Sequence, residues 1–545
     1  SSFPGIELAE LSCDSVRLTE IHTDSDVFGE RKPAMVNLPA SATILLGVIL
    51  SLYLVGLLVL SIVATKKVAN EEDYLVAGRR LSLFLTWGTL IATWFGAASM
   101  MGAAENARNE GLLGVVLDPF ACSLTLILAG FFFVRPLWRM KLLTIGDFFR
   151  QKYGPKSEIT ACCIQVPSYF GWIAAQFIAL ASVQHVYFDI DMRTAVWIAA
   201  AITLSYTMIG GMWSVTLTDT LQIVIAFSGL LILIWSAFSH AGGGDVSAGV
   251  ERFFNEVPAT HFNMLPGWEA LAFMTWLGTW ATGLLGNLPG QDLNQRAFSA
   301  RSEQTAMWAC ILAGVAYLVF GMIPVTLGLL SNVTDPGEIH GNILPVMAGK
   351  YLTPTLAVIF VVSVVSIVMS TATSAVLAPA TILSHNLLGR VRVLQGHNLL
   401  LDRSCVCLVA LGGVAMTYMG QSILDLLDFQ LSFGLTALFI PLLMGLYGKP
   451  RGEMSGWLPM LLGGGTWFTR YAFETFLYAM PEAVAGTTSF PDYIAGQLSI
   501  EQVGSLLHWL AYGFAFIPAD LIGLGASIVG YWIGQSYYAL RGTDH

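Results

Sequence analysis

Two stretches decide the fold: LFLTWGTLIATWFGAASMMGAA at residues 83–104 and ALAFMTWLGTWATGLLGNLPG at residues 270–290. Each is an apolar run of membrane length with a flaw inside it, around Gly96 in the first and at Asn287-Leu288-Pro289-Gly290 in the second. Backbone groups freed inside lipid must find a partner in protein, water or an ion, so an interruption at that depth marks a binding site.

The rest of the chain supplies the setting. Its 545 residues are 55% apolar and 11% charged, with a mean hydropathy of +0.67. Many runs approach the roughly 20 residues that cross a bilayer, which makes this an all-α polytopic membrane protein. The net charge of −10 gathers in the N-terminal tail and loops and carries little functional information. Seven cysteines lie mostly inside apolar segments without a CxxC pair, as small packing residues do. No P-loop, HExxH or nucleophile elbow is present, and no basic, aromatic-rich patch. An ATP-driven pump, the common hydrolases and a nucleic-acid binder are therefore disfavoured, and no enzyme activity or cofactor is expected.

Apolar runs and breakers predict about thirteen spans, near 42–64, 82–104, 113–134, 158–187, 194–212, 218–239, 268–289, 305–331, 354–384, 402–421, 424–447, 455–478 and 503–538. With the first loop inside the cell, eighteen of the 26 Lys and Arg residues fall on the inner side and five on the outer; the remaining three are in the tail. That bias predicts an external N-terminus and a cytoplasmic C-terminus at the plasma membrane, and an odd number of spans agrees with it. Residues 1–34 are polar and lack the basic start and apolar centre of a signal peptide; they read as a disordered tail, or as sequence upstream of a true start at Met35. Residues 35–70 hold an extra first helix. Residues 71–240 and 241–448 then form two five-helix halves, each opening on a broken helix, and 449–545 add two more. Because five is odd, the halves have opposite topology, the 5+5 inverted-repeat pattern of a secondary transporter with its site near the bilayer midplane.

Local motifs point to a family. Asp73-Tyr74-Leu75-Val76-Ala77-Gly78-Arg79, YTMIGGMWSVTLTDTLQ from Tyr206 to Gln222, Asn294-Gln295-Arg296 and Val368-Met369-Ser370-Thr371 appear in order. Together they resemble the sodium:solute symporters over about Asp73 to Gly448, nearest to the choline-transporter branch. The resemblance implies a LeuT-type fold and a sodium site built from backbone carbonyls of the first broken helix with hydroxyls of the eighth core helix. By motif position these are Ala92, Phe95, Ile367, Ser370 and Thr371.

The residues offer their own argument at that helix. Ser363, Ser366, Ser370 and Ser374 follow a 3, 4, 4 spacing and form one hydroxyl stripe, with Thr371 and Thr373 beside it. Such a stripe serves helix packing or, with unwound carbonyls, a hard cation such as sodium. Asp219 in the TDxxQ motif reads either as a helix N-cap or, with Ser374, as a second cation position. Solute is expected against Trp94, Trp172, Gln176, Asn287 and Gln291, with Asp118, Cys122 and Gly290 as further wall positions. Trp94 and Trp172 match two tryptophans of the aromatic cage that the resemblance implies for a quaternary ammonium. Cys122 and Gly290 stand where two more cage aromatics belong, so altered specificity is expected. The function expected is sodium-coupled import of a small organic solute, the alternatives being a proton-coupled or uncoupled carrier of the same fold and a non-transporting membrane sensor. Expected partners are sodium, the solute and the lipid bilayer, with no nucleic acid.

Overall fold

A computed structural model describes residues 39–337, 343–390, 398–419, 423–478 and 516–541. Within them the chain is a bundle of helices. Eight are long and apolar enough to cross a membrane, and Leu83–Trp94 and Ala270–Leu285 are shorter apolar helices. Those two are the first halves of the broken helices. The expected tail at 1–34 lies outside the described residues, as does 503–515 of the last expected span, whose described helix is Ala519–Arg541.

One connection differs from the sequence expectation. Spans near 194–212 and 218–239 are joined in a continuous stretch, Met192–Ala241, that is non-helical only at Gly211, with φ 53° and ψ −147°. Fifty residues would reach about 75 Å if straight, more than twice a bilayer core, so the chain must bend there. Residues 213–217, expected between the two spans, are helical. Gly211 is required twice over: its positive φ suits glycine, and a Cβ would meet the Tyr74 ring and carbonyl at 2.5 to 2.6 Å. The helix is capped at its start by Asp191, which accepts from the Thr194 N–H at 3.1 Å.

The helix Pro354–Ile382 crosses the centre of the bundle with its hydroxyl stripe buried. Ser363 serves packing, donating to the Ile225 carbonyl at 2.9 Å against the Met192–Ala241 helix. Ser370 and Thr371 instead meet the first broken helix, at the carbonyls of Ala92 and Phe95.

Candidate functional site

Both interruptions are held open by side chains from neighbouring helices. The first helix ends at Trp94, and Phe95 leaves helical geometry with ψ 87°. The Ala97 N–H is taken by Gln176 Oε1 at 3.0 Å. Gly96 permits this approach, since a Cβ there would meet Thr371 at 2.7 Å and Gln176 at 2.9 Å. In the second break, Asn294 Nδ2 donates to the carbonyls of Leu288 and Gly290 at 3.0 and 2.8 Å, and Gln165 Nε2 donates to Pro289 at 2.8 Å. Thr125 Oγ1 reaches the carbonyls of Gly283 and Leu284 at 2.8 and 2.9 Å. These bonds replace the helical ones lost at the breaks.

At the first break five residues converge. Ser370 Oγ lies 2.5 Å from the Ala92 carbonyl. Thr371 Oγ1 lies 3.2 Å from the Ala92 carbonyl, 3.3 Å from that of Phe95 and 3.2 Å from that of Ile367. All five residues are fully buried. Three carbonyls and two hydroxyls make an all-oxygen set suited to a hard monovalent cation.

Next to it lies a buried charged group. Asp219 is fully buried and eight residues past the bend at Gly211, so it stands inside a helix rather than at its N-cap. Thr89 Oγ1 donates to its Oδ2 at 2.6 Å, while Oδ1 has no hydrogen-bond partner among the described residues. Ser374 Oγ is 3.1 Å from Thr93 Oγ1 and also receives Arg296 Nη2. Arg296 is fully buried, within electrostatic range of both Asp219 and Asp292. The charge beside Ser374 is thus the chain's own guanidinium.

A narrow cavity of about 20 Å³ adjoins the first break, lined by Trp94, Asp118, Cys122, Trp172, Gln176, Asn287, Tyr317 and Gln430 among others. Six of the solute-site positions expected from sequence meet there: Trp94, Asp118, Cys122, Trp172, Gln176 and Asn287. Gln291 and Gly290 do not line it. Gln291 Oε1 instead accepts the Ile145 N–H at 2.8 Å, capping a short helix, and Gly290 sits against Asp292 and Tyr169. Trp94 is fixed by its indole N–H, which donates to Asp292 Oδ2 at 2.6 Å; Tyr169 OH holds the other oxygen at 2.5 Å. Asn287 Nδ2 reaches Cys122 Sγ at 3.8 Å.

Sequence reasoning missed Tyr317, Ser99 and Gln430. Tyr317 donates to Asp118 Oδ1 at 2.8 Å, Ser99 to Oδ2 at 2.8 Å, and the two hydroxyls are 2.6 Å apart. The available signal was a tyrosine alone in the apolar run of Glu303–Thr334, since a buried phenol needs a partner.

A second cluster closes one end of the bundle. His385 bridges Glu71 at 2.8 Å and Asp147 at 3.3 Å beside a cavity that Asp402 and Arg150 also line. Burial would raise the Asp147 carboxyl, but hydrogen bonds and charge from His385 and the N–H groups of Thr144 and Leu143 outweigh it and hold the group below its usual range.

Comparison with known proteins places this geometry. The model of the sodium:solute symporter family matches residues 74–464. The chain is 28% identical to the high affinity choline transporter 1 of Homo sapiens over 443 residues, covering 76% of this chain and 73% of that protein. It is 24% identical to the sodium/proline symporter of Escherichia coli over 393 residues, or 67% and 75% of the two chains. In structure it superposes on a Na+-coupled sialic acid symporter, solved substrate-bound and outward-open, with a TM-score of 0.67 at 14% identity, covering 90% of this chain and 98% of that one. The architecture is therefore that of a LeuT-fold transporter.

Proposed function

The chain belongs to the sodium:solute symporter family, and from that premise we propose that it couples sodium to the import of a small organic solute by alternating access. The observation that carries this reading is the convergence of Ala92, Phe95, Ile367, Ser370 and Thr371 at the first break. Sodium there ties the first broken helix to the hydroxyl helix and steadies the wall of the adjoining cavity. Solute binds between Trp94 and Trp172 with Gln176, Asn287, Asp118 and Cys122 around it, while Gln291 and Gly290 shape the second break. Sodium and solute then favour one another reciprocally, and a potential of 100 mV contributes about 2.3 kcal/mol per sodium moved inward.

Arg296 already provides positive charge beside Ser374, so this reading takes one sodium, with Asp219 organising its approach in place of a second ion. The architecture it uses has thirteen helical passages. Halves 71–240 and 241–448 are inverted on each other, the helix of 35–70 precedes them and two helices of 449–545 follow. The protein sits in the plasma membrane with its N-terminus outside and its C-terminus in the cytoplasm.

The test is thermal stabilisation of the purified protein by sugars, carboxylates, amino acids and amines, each in sodium and in potassium. A compound that stabilises in sodium and not in potassium is the expected result. Stabilisation that is equal in the two salts for every compound that binds contradicts sodium coupling.

A further inference from the structure

We propose that the solute is an organic cation carrying at least one N–H, an amine or amidine whose charged head hydrogen-bonds to Asp118; this rests on the cavity assigned above as the solute site. Asp118 is 3% exposed and opens onto that cavity. Its oxygens receive only neutral hydroxyls, from Ser99 and Tyr317. No Lys, Arg or His lines the cavity among the described residues. A carboxylate removed from water without a cation is costly, and the two hydroxyls leave further lone pairs on both oxygens for a donor.

Two independent features point the same way. Gln430, from the helix Ile423–Phe433, lines the same cavity and buries its Oε1 with no donor among the described residues. A charged head with N–H groups donates to that oxygen and to Asp118, whereas a quaternary ammonium head has no hydrogen to donate to either. The second feature is charge. Three buried carboxylates, Asp118, Asp219 and Asp292, stand at the broken helices against one buried guanidinium, Arg296. The faces of Trp94 and Trp172 favour a cationic head without choosing its substitution; the acceptors choose it.

The probes are ethanolamine, N-methylethanolamine, N,N-dimethylethanolamine and choline, which keep the charge near neutral pH while N–H groups fall to none, together with agmatine, glucose and lactate. Binding is read by calorimetry on the full chain in nanodiscs with sodium present. Expected is binding by at least one N–H cation, and at least tenfold weaker binding of choline than of dimethylethanolamine, about 1.4 kcal/mol. Asp118→Asn abolishes amine binding and Gln430→Met weakens it several-fold, while the thermal stabilisation by sodium alone persists in both. That sodium readout separates the two hypotheses: its loss in the wild type counts against the sodium site, not against the solute class. The proposal is overturned if no N–H cation binds, if choline, glucose or lactate binds as tightly as the best amine, or if Asp118→Asn retains wild-type amine affinity.

Discussion

Replacing Gly96 by alanine adds a single methyl group at the point where the first break, the hydroxyl helix and Gln176 touch. The new Cβ would stand 2.7 Å from both Cγ2 and Oγ1 of Thr371 and 2.9 Å from Gln176 Oε1. Thr371 cannot yield cheaply, because it is β-branched and fully buried. Overpacking of this kind costs about 1 to 3 kcal/mol. Moving Thr371 Oγ1 also removes one oxygen from the sodium set, and a contact to a charged partner contributes about 1.5 to 3 kcal/mol. The second quantity is the one sodium binding reports, and it corresponds to roughly 10- to 150-fold weaker affinity. Sodium titration of the purified protein by calorimetry measures it directly. Gly56→Ala is the control, since a Cβ at Gly56 meets nothing within 4 Å. A Gly96→Ala protein that folds and titrates with the wild-type sodium midpoint would refute the placement of the ion at this break.

Two further perturbations address the buried charges. Asp219→Asn keeps an acceptor for Thr89 but removes the countercharge near Arg296, so melting temperatures should fall in sodium and in potassium alike; unchanged melting would deny that electrostatic link. Asp147 is a depressed carboxyl, so its stabilising contribution is present above the ordinary value near 3.9 and disappears as pH falls through the lower folded value. Asp147→Asn should accordingly lower the melting temperature at pH 7 and converge with the wild type in strong acid, and a gap that does not narrow on acidification would contradict this.

Much of the scaffold was legible because it rests on local pattern. The breaks at Gly96 and at 287–290 were visible as Gly, Pro and Asn inside apolar runs, and the stripe of Ser363, Ser366, Ser370 and Ser374 as helical spacing. The break between the spans near 194–212 and 218–239 was visible as the glycine pair Gly210-Gly211 and the polar residues after it, and the bend falls at Gly211. The pairing of Trp94 with Asp292, of Arg296 with Ser374 and of Asp118 with Tyr317 joins residues 78 to 199 positions apart. No local periodicity encodes such contacts. Gln291 illustrates the limit: it sits at the second break as its sequence position implies, yet its side chain turns to accept the Ile145 N–H, 146 positions away in the chain.

The most direct measurement is equilibrium binding of radioactive sodium to the purified full chain and to its Ser370→Ala/Thr371→Ala double variant. The account predicts saturable binding to the wild type, displaced by unlabelled sodium but not by potassium, and its loss in a double variant that remains folded. Equal binding by the two proteins, or none by the wild type, would contradict it.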